Sequence, residues 1–558
     1  MTQTAQTELA VSRWRFWLPR LAFALVAPIL LLVLLEGALR LFHVGYSTRL
    51  MEPCRIHGQV SSCYNLFFAA PFFPPGMIKT PQFFSISPQK PPHTYRIFVL
   101  GESAAMGDPD PAYGFSRYLE VMLRQRFPGT RFEVVNTGMV AINSHVSRII
   151  ARELAPYQPD LYLVYAGSNE VVGPYGPGTA LVTSSLSLPV IRASLFVRSS
   201  RLGQLLSDTG KPRKEWGGME MFLDKQLRAD SPRMAPAYRN FESNLRDMAA
   251  IAHDARANLL LSTIATNLRD SAPFSSLHRQ GLNADALAAW SSLLKQGEEF
   301  EKTGAFAEAL KAYSAAARID DQFAELHFRM ARCQWAMGDF EAAKQHYTQA
   351  RDLDTLRFRA DSRINNVIRK VGASAGAQVK LLDTETLFSS DSRNGIIGGE
   401  LLYDHVHFTP LGNYLFARAA FEQIVAFLPS GTRSSAASTE PLSESECERL
   451  LAFTGHDRTR VAAEMADRLQ RPPFTQQLNH LEQLQSLILR ASGTPENPQD
   501  TAAQYQWAIS QSPGDLTLHY KFGFFLFDYN RNAAAQELIR ARPNDDFPVF
   551  LPDGTRIL

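Results

Sequence analysis

The chain has 558 residues, 45% of them hydrophobic and 20% charged, which is enough apolar side chain for several cores and too much for wholesale disorder. At about 150 residues per domain, this length predicts three or four folding units. Lysine plus arginine (57) nearly balances aspartate plus glutamate (55), and four cysteines are present; the balance disfavours a nucleic-acid partner, and so few cysteines exclude a disulfide-built scaffold.

The mean hydropathy of −0.16 conceals an uneven distribution. Residues 21–35 read LAFALVAPILLLVLL, without a charge. Arg13, Arg15 and Arg20 precede them among Trp14, Phe16 and Trp17, and Glu36, Arg40, Phe42 and Tyr46 follow. Taken over 16–39, the run approaches the roughly 20 residues that cross a bilayer. Its ends carry aromatic and basic anchors, and Pro28 is tolerated in such a helix. A cleaved signal is one alternative, but it wants small residues at the cleavage point, where LLEGALRLF places Glu36. A buried soluble helix is another, and it leaves the flanking arginines unexplained. Residues 1–46 are therefore read as an uncleaved single-pass anchor with a cytoplasmic N-terminus. Everything after it is exported, into the periplasm if the cell is Gram-negative.

Export permits a disulfide. Cys54 and Cys63, in EPCRIHGQVSSCYN, either close a small loop or stay as two thiols. Residues 47–93 are rich in Phe and Pro and read as an extended lead-in over a domain surface, with lining an acyl site as one role open to it.

In TYRIFVLGESAAMG, residues 96–100 predict a strand that ends at Gly101, followed by a turn carrying Ser103 and then a helix. A serine at that turn is exposed, near helix N-terminal amides that stabilise negative charge. The spacing of Gly101, Ser103 and Gly107 is not the G-x-S-x-G elbow. Nor is it a phosphate loop, since no lysine follows; taken alone, Ser103 also reads as an N-cap. FEVVN (132–136) predicts a second strand, ending in Asn136-Thr137-Gly138. DLYLVY (160–165) predicts a third, ending in Ala166-Gly167-Ser168-Asn169-Glu170. Residues 172–231 lack periodicity and are read as a cap over the site. An amphipathic helix over 238–253 and strands over 259–263 and 379–383 follow.

Between those last two strands the chain repeats itself. Gly304 matches Gly338, Phe306 Phe340, Ala309 Ala343, Tyr313 Tyr347 and Ala316 Ala350, all at the 34-residue period of a tetratricopeptide helix–turn–helix. Gly297 and Ala331 take the repeat's other small position. An all-α insertion is predicted over 274–358. Beyond it, LLYDHVHFTPLGN sets Asp404 and His407 three apart, ahead of a helical pattern over 412–427. Strands with small or polar residues at their C-terminal ends suit an open parallel α/β sheet, where sites gather at those ends.

With four blocks in order, GES at 101–103, Gly138, GSNE at 167–170 and DHVH at 404–407, the chain resembles the SGNH (GDSL-type) serine hydrolases. The resemblance covers roughly 94–273 and 360–428. It implies a three-layer αβα domain of about five parallel strands, in two parts (94–273 and 359–428), with no cofactor and no metal. By position it implies Ser103 as nucleophile, His407 as base and Asp404 as its orienting carboxylate. It also implies an oxyanion hole from Ser103, Gly138 and Asn169. Such roles suit the chemistry: a serine hydroxyl needs an imidazole to take its proton, and a carboxylate holds that ring in the required tautomer. Glu102 and Glu170 depart from the family's aspartates, which puts loop geometry and substrate preference in question. His405 is a competing base that the block alignment disfavours.

Residues 429–445 read as a linker, and 446–558 as a helical, tetratricopeptide-like domain that stacks on the insertion. In that domain Tyr505, Pro513, Gly523 and Ala535 sit at a degenerate repeat's spacing. Such helices either recruit a protein partner on a concave face or complete a scaffold around the site. The expectation is a membrane-anchored, extracytoplasmic serine carboxylester hydrolase working through an acyl-serine on an O-acylated substrate, such as an envelope or extracellular glycan. Acyl transfer to a sugar hydroxyl and a non-catalytic scaffold stand as alternatives.

Overall fold

A computed structural model of the chain describes residues 3–56, 58–80, 82–181, 187–207, 215–493 and 496–557. It opens with one long helix, α1 (Gln3–Leu41). Within α1, Phe23–Leu41 has a mean hydropathy of 2.1 and no buried share, so this stretch is long and apolar enough to cross a membrane.

The lead-in departs from the extended reading. Strands β1 (Met51–Ile56), β2 (Gln59–Tyr64) and β3 (Ser85–Ile86) form a small antiparallel sheet. Cys54 and Cys63 are disulfide-bonded across its hairpin, with Cα atoms 5.8 Å apart. Phe68, Phe72, Phe73 and Met77 are buried beside it. Short alternating runs around a tight turn pair with each other before they can lie out flat. None of these residues lines the cavity described below.

The main sheet has five parallel strands: β4 (Thr94–Gly101), β5 (Arg131–Asn136), β6 (Leu161–Tyr165), β7 (Asn258–Ser262) and β8 (Val379–Leu382), in the order β5-β4-β6-β7-β8. Each falls within two residues of its sequence expectation. Strands covered on both faces read as continuous apolar runs, and β4 and β6 are buried almost throughout. After β4 comes the short α2 (Ser103–Met106), then α3 (Phe115–Arg126) and, between β5 and β6, α4 (Ser144–Leu154). Helices α5 (Leu188–Ser199), α6 (Arg201–Ser207) and α7 (Met234–Asp254) precede β7.

The insertion follows β7. Helices α8 (Ala284–Lys302), α9 (Phe306–Ala317), α10 (Ala324–Ala336) and α11 (Phe340–Leu353) pack as two successive hairpins. The small residue at Gly297 is required there, because a Cβ would stand 2.3 Å from the Tyr313 ring. The insertion is tied to the sheet domain at its base. The Asp354 carboxylate accepts from the N–H of Phe274 (2.9 Å) and Ser275 (3.2 Å) and pairs with Arg359 at 2.9 Å. A buried carboxylate held by two backbone N–H groups and a guanidinium fixes the junction.

The sheet domain resumes with α12 (Ser362–Ser374), α13 (Thr384–Ser390) and α14 (Pro410–Val425). Helices α3 and α14 pack together on one side of the sheet, and α4, α7 and α12 on the other. Because β5 and β6 flank β4 on opposite sides, the chain leaves β4 at the switch point where such sheets open a crevice.

The stretch 429–445 is not a free linker. It forms α15 (Ser430–Ser434), and Ala437 N–H donates to the Arg126 carbonyl at 2.8 Å. Helices α16 (Glu444–Leu450), α17 (Gly455–Leu469), α18 (His480–Ala491), α19 (Pro498–Gln511), α20 (Leu516–Leu526) and α21 (Arg531–Arg540) complete the fold. They touch the insertion, as in the 3.1 Å pair of Arg332 with Glu482. Their main grip is elsewhere, on residues 108–117 after Ser103. Lys521 pairs with Asp110 at 2.7 Å, and the Tyr505 and Tyr113 hydroxyls are 3.2 Å apart. Arg460 holds Asp110, and Asp515 holds Arg117.

Candidate functional site

The site forms where β4 ends. Gly101 has φ +155, and a Cβ there would stand 2.0 Å from the Tyr165 carbonyl oxygen, so only glycine lets the chain turn there. The turn delivers Ser103 to the first position of α2. The second component comes from the far end of the sheet domain. In residues 404–407, Asp404 Oδ1 accepts the N–H of Val406 and of His407, each at 2.9 Å, which closes the Asp-x-x-His turn. Asp404 Oδ2 meets His407 Nδ1 at 2.7 Å, and His407 Nε2 lies 2.8 Å from Ser103 Oγ. With the Nδ1 proton donated to Asp404, Nε2 is left to accept the serine proton. Three residues that the sequence reading named, separated by 301 positions between Ser103 and Asp404, stand in one hydrogen-bonded line.

Burial raises the cost of charge on Asp404, yet His407 and His405 beside it hold its carboxyl well below the usual range. Burial likewise opposes charge on His407, but the carboxylates of Asp404 and Asp108 outweigh it and raise the ring's affinity for a proton.

Asp108 was not foreseen. Its Oδ2 lies 3.1 Å from His407 Nε2, sharing that face of the ring with Ser103. Arg468 of α17 holds the same carboxylate through Nη1 at 2.5 Å and Nη2 at 3.1 Å. No local signal marks this pair, because its members lie 360 residues apart.

The donors facing the serine are arranged differently from the expectation. Gly138 N–H donates to Asn136 Oδ1 at 2.9 Å, and Gly138 is not among the cavity-lining residues. The Asn136 side chain, itself held by Ala105 O and Ser116 Oγ, turns the chain back on itself and consumes that amide. Ala141 takes the place beside the cavity, at φ +61. Among the described residues, Ala141 N–H, Ser103 N–H and Asn169 Nδ2 donate to no protein acceptor. A glycine at 141 would have marked this position; an alanine at positive φ does not.

The two glutamates that depart from the family pattern are structural anchors of this region. Glu102 accepts from the N–H of Gly167 (3.2 Å), Ser168 (2.8 Å) and Asn169 (3.2 Å), which fixes the loop that presents Asn169. Burial and the neighbouring Glu170 push its carboxyl well up, against those three donors. Glu170 accepts from Ser144 N–H (2.7 Å) and Oγ (2.8 Å) at the start of α4, and burial raises its pKa to about 7.

His405 is buried against Phe274, with Nδ1 3.4 Å from Asp404 Oδ1. Among the described residues no hydrogen bond joins it to Ser103. One ligand atom from each of Asp404, His405 and His407 falls within a 4.8 Å group, but the hydrogen bonds above already account for both nitrogens of His407.

The cavity over Ser103 has a volume of about 730 Å³. One wall is Trp216, Met219 and Phe222, a second is Phe358 and Phe474, and α17 adds Glu464, Asp467 and Arg468. The cap expectation for 172–231 therefore holds for Val172, Gly173, residues 216–220 and Phe222. Residues 187–207 pack elsewhere, α6 against the end of α1 and α5 against α6 and the main core, and 182–186 and 208–214 lie outside the described residues.

Comparison with known proteins speaks to the insertion. Residues 302–360 match the tetratricopeptide repeat family. The match spans α9, α10 and α11 and supports the tetratricopeptide reading of the insertion. Such repeats commonly present binding faces to other proteins. No curated protein matches the chain.

Proposed function

We propose that the protein is a membrane-anchored, extracytoplasmic serine hydrolase of carboxylic esters. The observation that carries this reading is the continuous line Asp404–His407–Ser103, with hydrogen-bond distances of 2.7 and 2.8 Å, opening into a cavity. It accords with the resemblance to SGNH hydrolases and with an apolar helix ahead of the catalytic domain.

In this reading Ser103 Oγ attacks the ester carbonyl as its proton passes to His407 Nε2. Asp404 steadies the imidazolium through Nδ1. The oxyanion takes hydrogen bonds from the N–H of Ser103 and Ala141 and from Asn169 Nδ2, each such donor being worth roughly 3 kcal/mol in related chemistry. Collapse of the intermediate expels the alcohol, which takes the proton from His407 and leaves an acyl-serine. Water, deprotonated by the same ring, attacks that ester, and Ser103 Oγ takes the proton back from His407 as the acid leaves. A sugar hydroxyl in place of water would make the protein an O-acyltransferase, and a cavity of about 730 Å³ has room for an acylated sugar.

A serine-directed fluorophosphonate tests the reading on the full chain in detergent. Labelling mapped to Ser103, and abolished in His407→Gln, supports it; an unlabelled parent refutes it. Product analysis with a sugar acceptor then separates hydrolysis from transfer. A second reading, a scaffold for a protein partner, rests on the tetratricopeptide match at 302–360 and is favoured if the parent proves inert to every activated ester.

A further inference from the structure

Residues 187–207 form two helices that contribute nothing to the cavity. Helix α6 is bound instead to the end of α1, and α5, packed on α6, is held to the globular body by Arg192 on Asp247 and by Arg198 donating to the Pro71 carbonyl. Glu36, inside the apolar stretch, accepts from Arg201 N–H at 3.1 Å and Leu202 N–H at 3.0 Å, at the start of α6. Gln204 exchanges two hydrogen bonds with the Tyr46 backbone, at 3.0 and 2.9 Å, and Thr48 Oγ1 donates to the Ser199 carbonyl at 3.2 Å. Tyr46 in turn stacks on Phe67, with centroids 5.0 Å apart.

Depth follows from helix geometry. Glu36 lies five residues before Leu41, where the apolar stretch ends, and at about 1.5 Å per residue that is roughly 7–8 Å back along the helix. The start of α6 is hydrogen-bonded to a side chain at that level, so the α5–α6 pair sits at the rim of the span. Amphipathic helices that rest on a bilayer bury their apolar face about 5–10 Å deep, the same range. Side-chain exposure agrees. Ile191 and Leu195 of α5 face the protein and are buried, whereas Val190, Phe196 (78% exposed) and Val197 face outward. Phe42 (75%), just past the end of α1, and Leu66 and Phe67, the latter stacked on Tyr46, are exposed as well. Large apolar side chains gathered in this way mark a contact surface.

We infer that the α5–α6 pair, with Phe42, Leu66 and Phe67, is a membrane-docking face that seats the globular body on the lipid bilayer where α1 emerges. The occupant is lipid because the face is continuous with the helix that enters the bilayer. Docking fixes the height and tilt of the body, so the cavity opens at a set distance from the membrane surface. The inference rests on α1 spanning the membrane, and does not depend on the hydrolase reading.

The test uses the full chain in phosphatidylcholine vesicles. The native cysteines are disulfide-bonded (Cys54, Cys63) or buried (Cys333, Cys447), so an environment-sensitive dye reports an introduced cysteine. Three single variants are compared with brominated lipid as quencher: Ile29→Cys in the span, Phe196→Cys on the docking face, and Leu481→Cys, exposed on α18. The expected result is quenching and blue-shifted emission at 29 and 196, with neither at 481; Val190→Cys should repeat the result for 196. Quenching at 29 with position 196 behaving like 481 overturns the docking face while leaving the anchor intact. Absence of quenching at 29 overturns the span, and the docking inference with it. Equal quenching at 196 and 481 shows unspecific adsorption and also overturns it.

Discussion

Asp108 Oδ2 stands 3.1 Å from His407 Nε2, so the ring that faces Ser103 lies between two carboxylates. A carboxylate there favours the protonated ring, the form that exists only while the proton is in transit. Arg468 offsets this by drawing on the same carboxylate from the C-terminal helices. The two neighbours therefore pull the ring's proton affinity in opposite directions. In the proposed mechanism His407 acts as general base and must be neutral, so ester hydrolysis should rise with pH through its raised pKa. Asp108→Asn should move this acid limb to lower pH, and Arg468→Met should move it to higher pH. Ester hydrolysis profiles measured between pH 5 and 9 read both; coincident profiles would remove Asp108 from the account.

Glu102 should matter through its acceptors and not its charge. Its carboxyl is pushed toward the neutral form, and it holds three backbone N–H groups. Glu102→Gln retains an acceptor and should stay near parental stability. Glu102→Ala strands buried donors, each worth about 1–3 kcal/mol, and should lower both melting temperature and kcat. Equal damage by the two substitutions contradicts this role.

Stability should fall as pH rises through the titration of Glu170. Its folded pKa is raised from 4.5 to about 7 by burial, so the folded state binds more protons than the unfolded chain between those values. The favourable contribution is therefore full below pH 4.5 and is lost by about pH 7, at most roughly 3 kcal/mol from this group. Glu170→Gln should flatten that part of the stability curve in denaturant titrations. A slope equal to that of the parent would assign the pH dependence elsewhere.

Gly297→Ala tests the insertion's packing. A methyl group there meets the buried Tyr313 ring, and overpacking of this kind costs about 1–3 kcal/mol. A shift of the unfolding midpoint in urea reads it; an unchanged midpoint means the α8–α9 contact is looser than described.

Much of this arrangement was legible from short stretches. The strand ahead of Gly101, the Asp-x-x-His turn and the 34-residue period are local patterns, and local patterns survive folding. The signals that failed were of two kinds. Arg468 and Asp108 meet only through tertiary packing, and the C-terminal helices that bring them together read from their apolar faces alone as a domain stacked on the repeats. Ala141 and Gly138 show the other kind. Glycine was taken as the sign of a close backbone approach, whereas the chain uses Gly138 inside an Asn136-capped turn and places an alanine at positive φ beside the cavity. Helix α5 escaped notice because it buries only Ile191 and Leu195, too few for a period to emerge.

The central claim is that Ser103 is a nucleophile activated by His407, and the most direct measurement is the hydrolysis of a short aryl ester by the full chain and by Ser103→Ala, purified identically. The account predicts turnover by the parent and its loss, by several orders of magnitude, in the variant, with the fold intact by circular dichroism. Equal rates from the two proteins would contradict it.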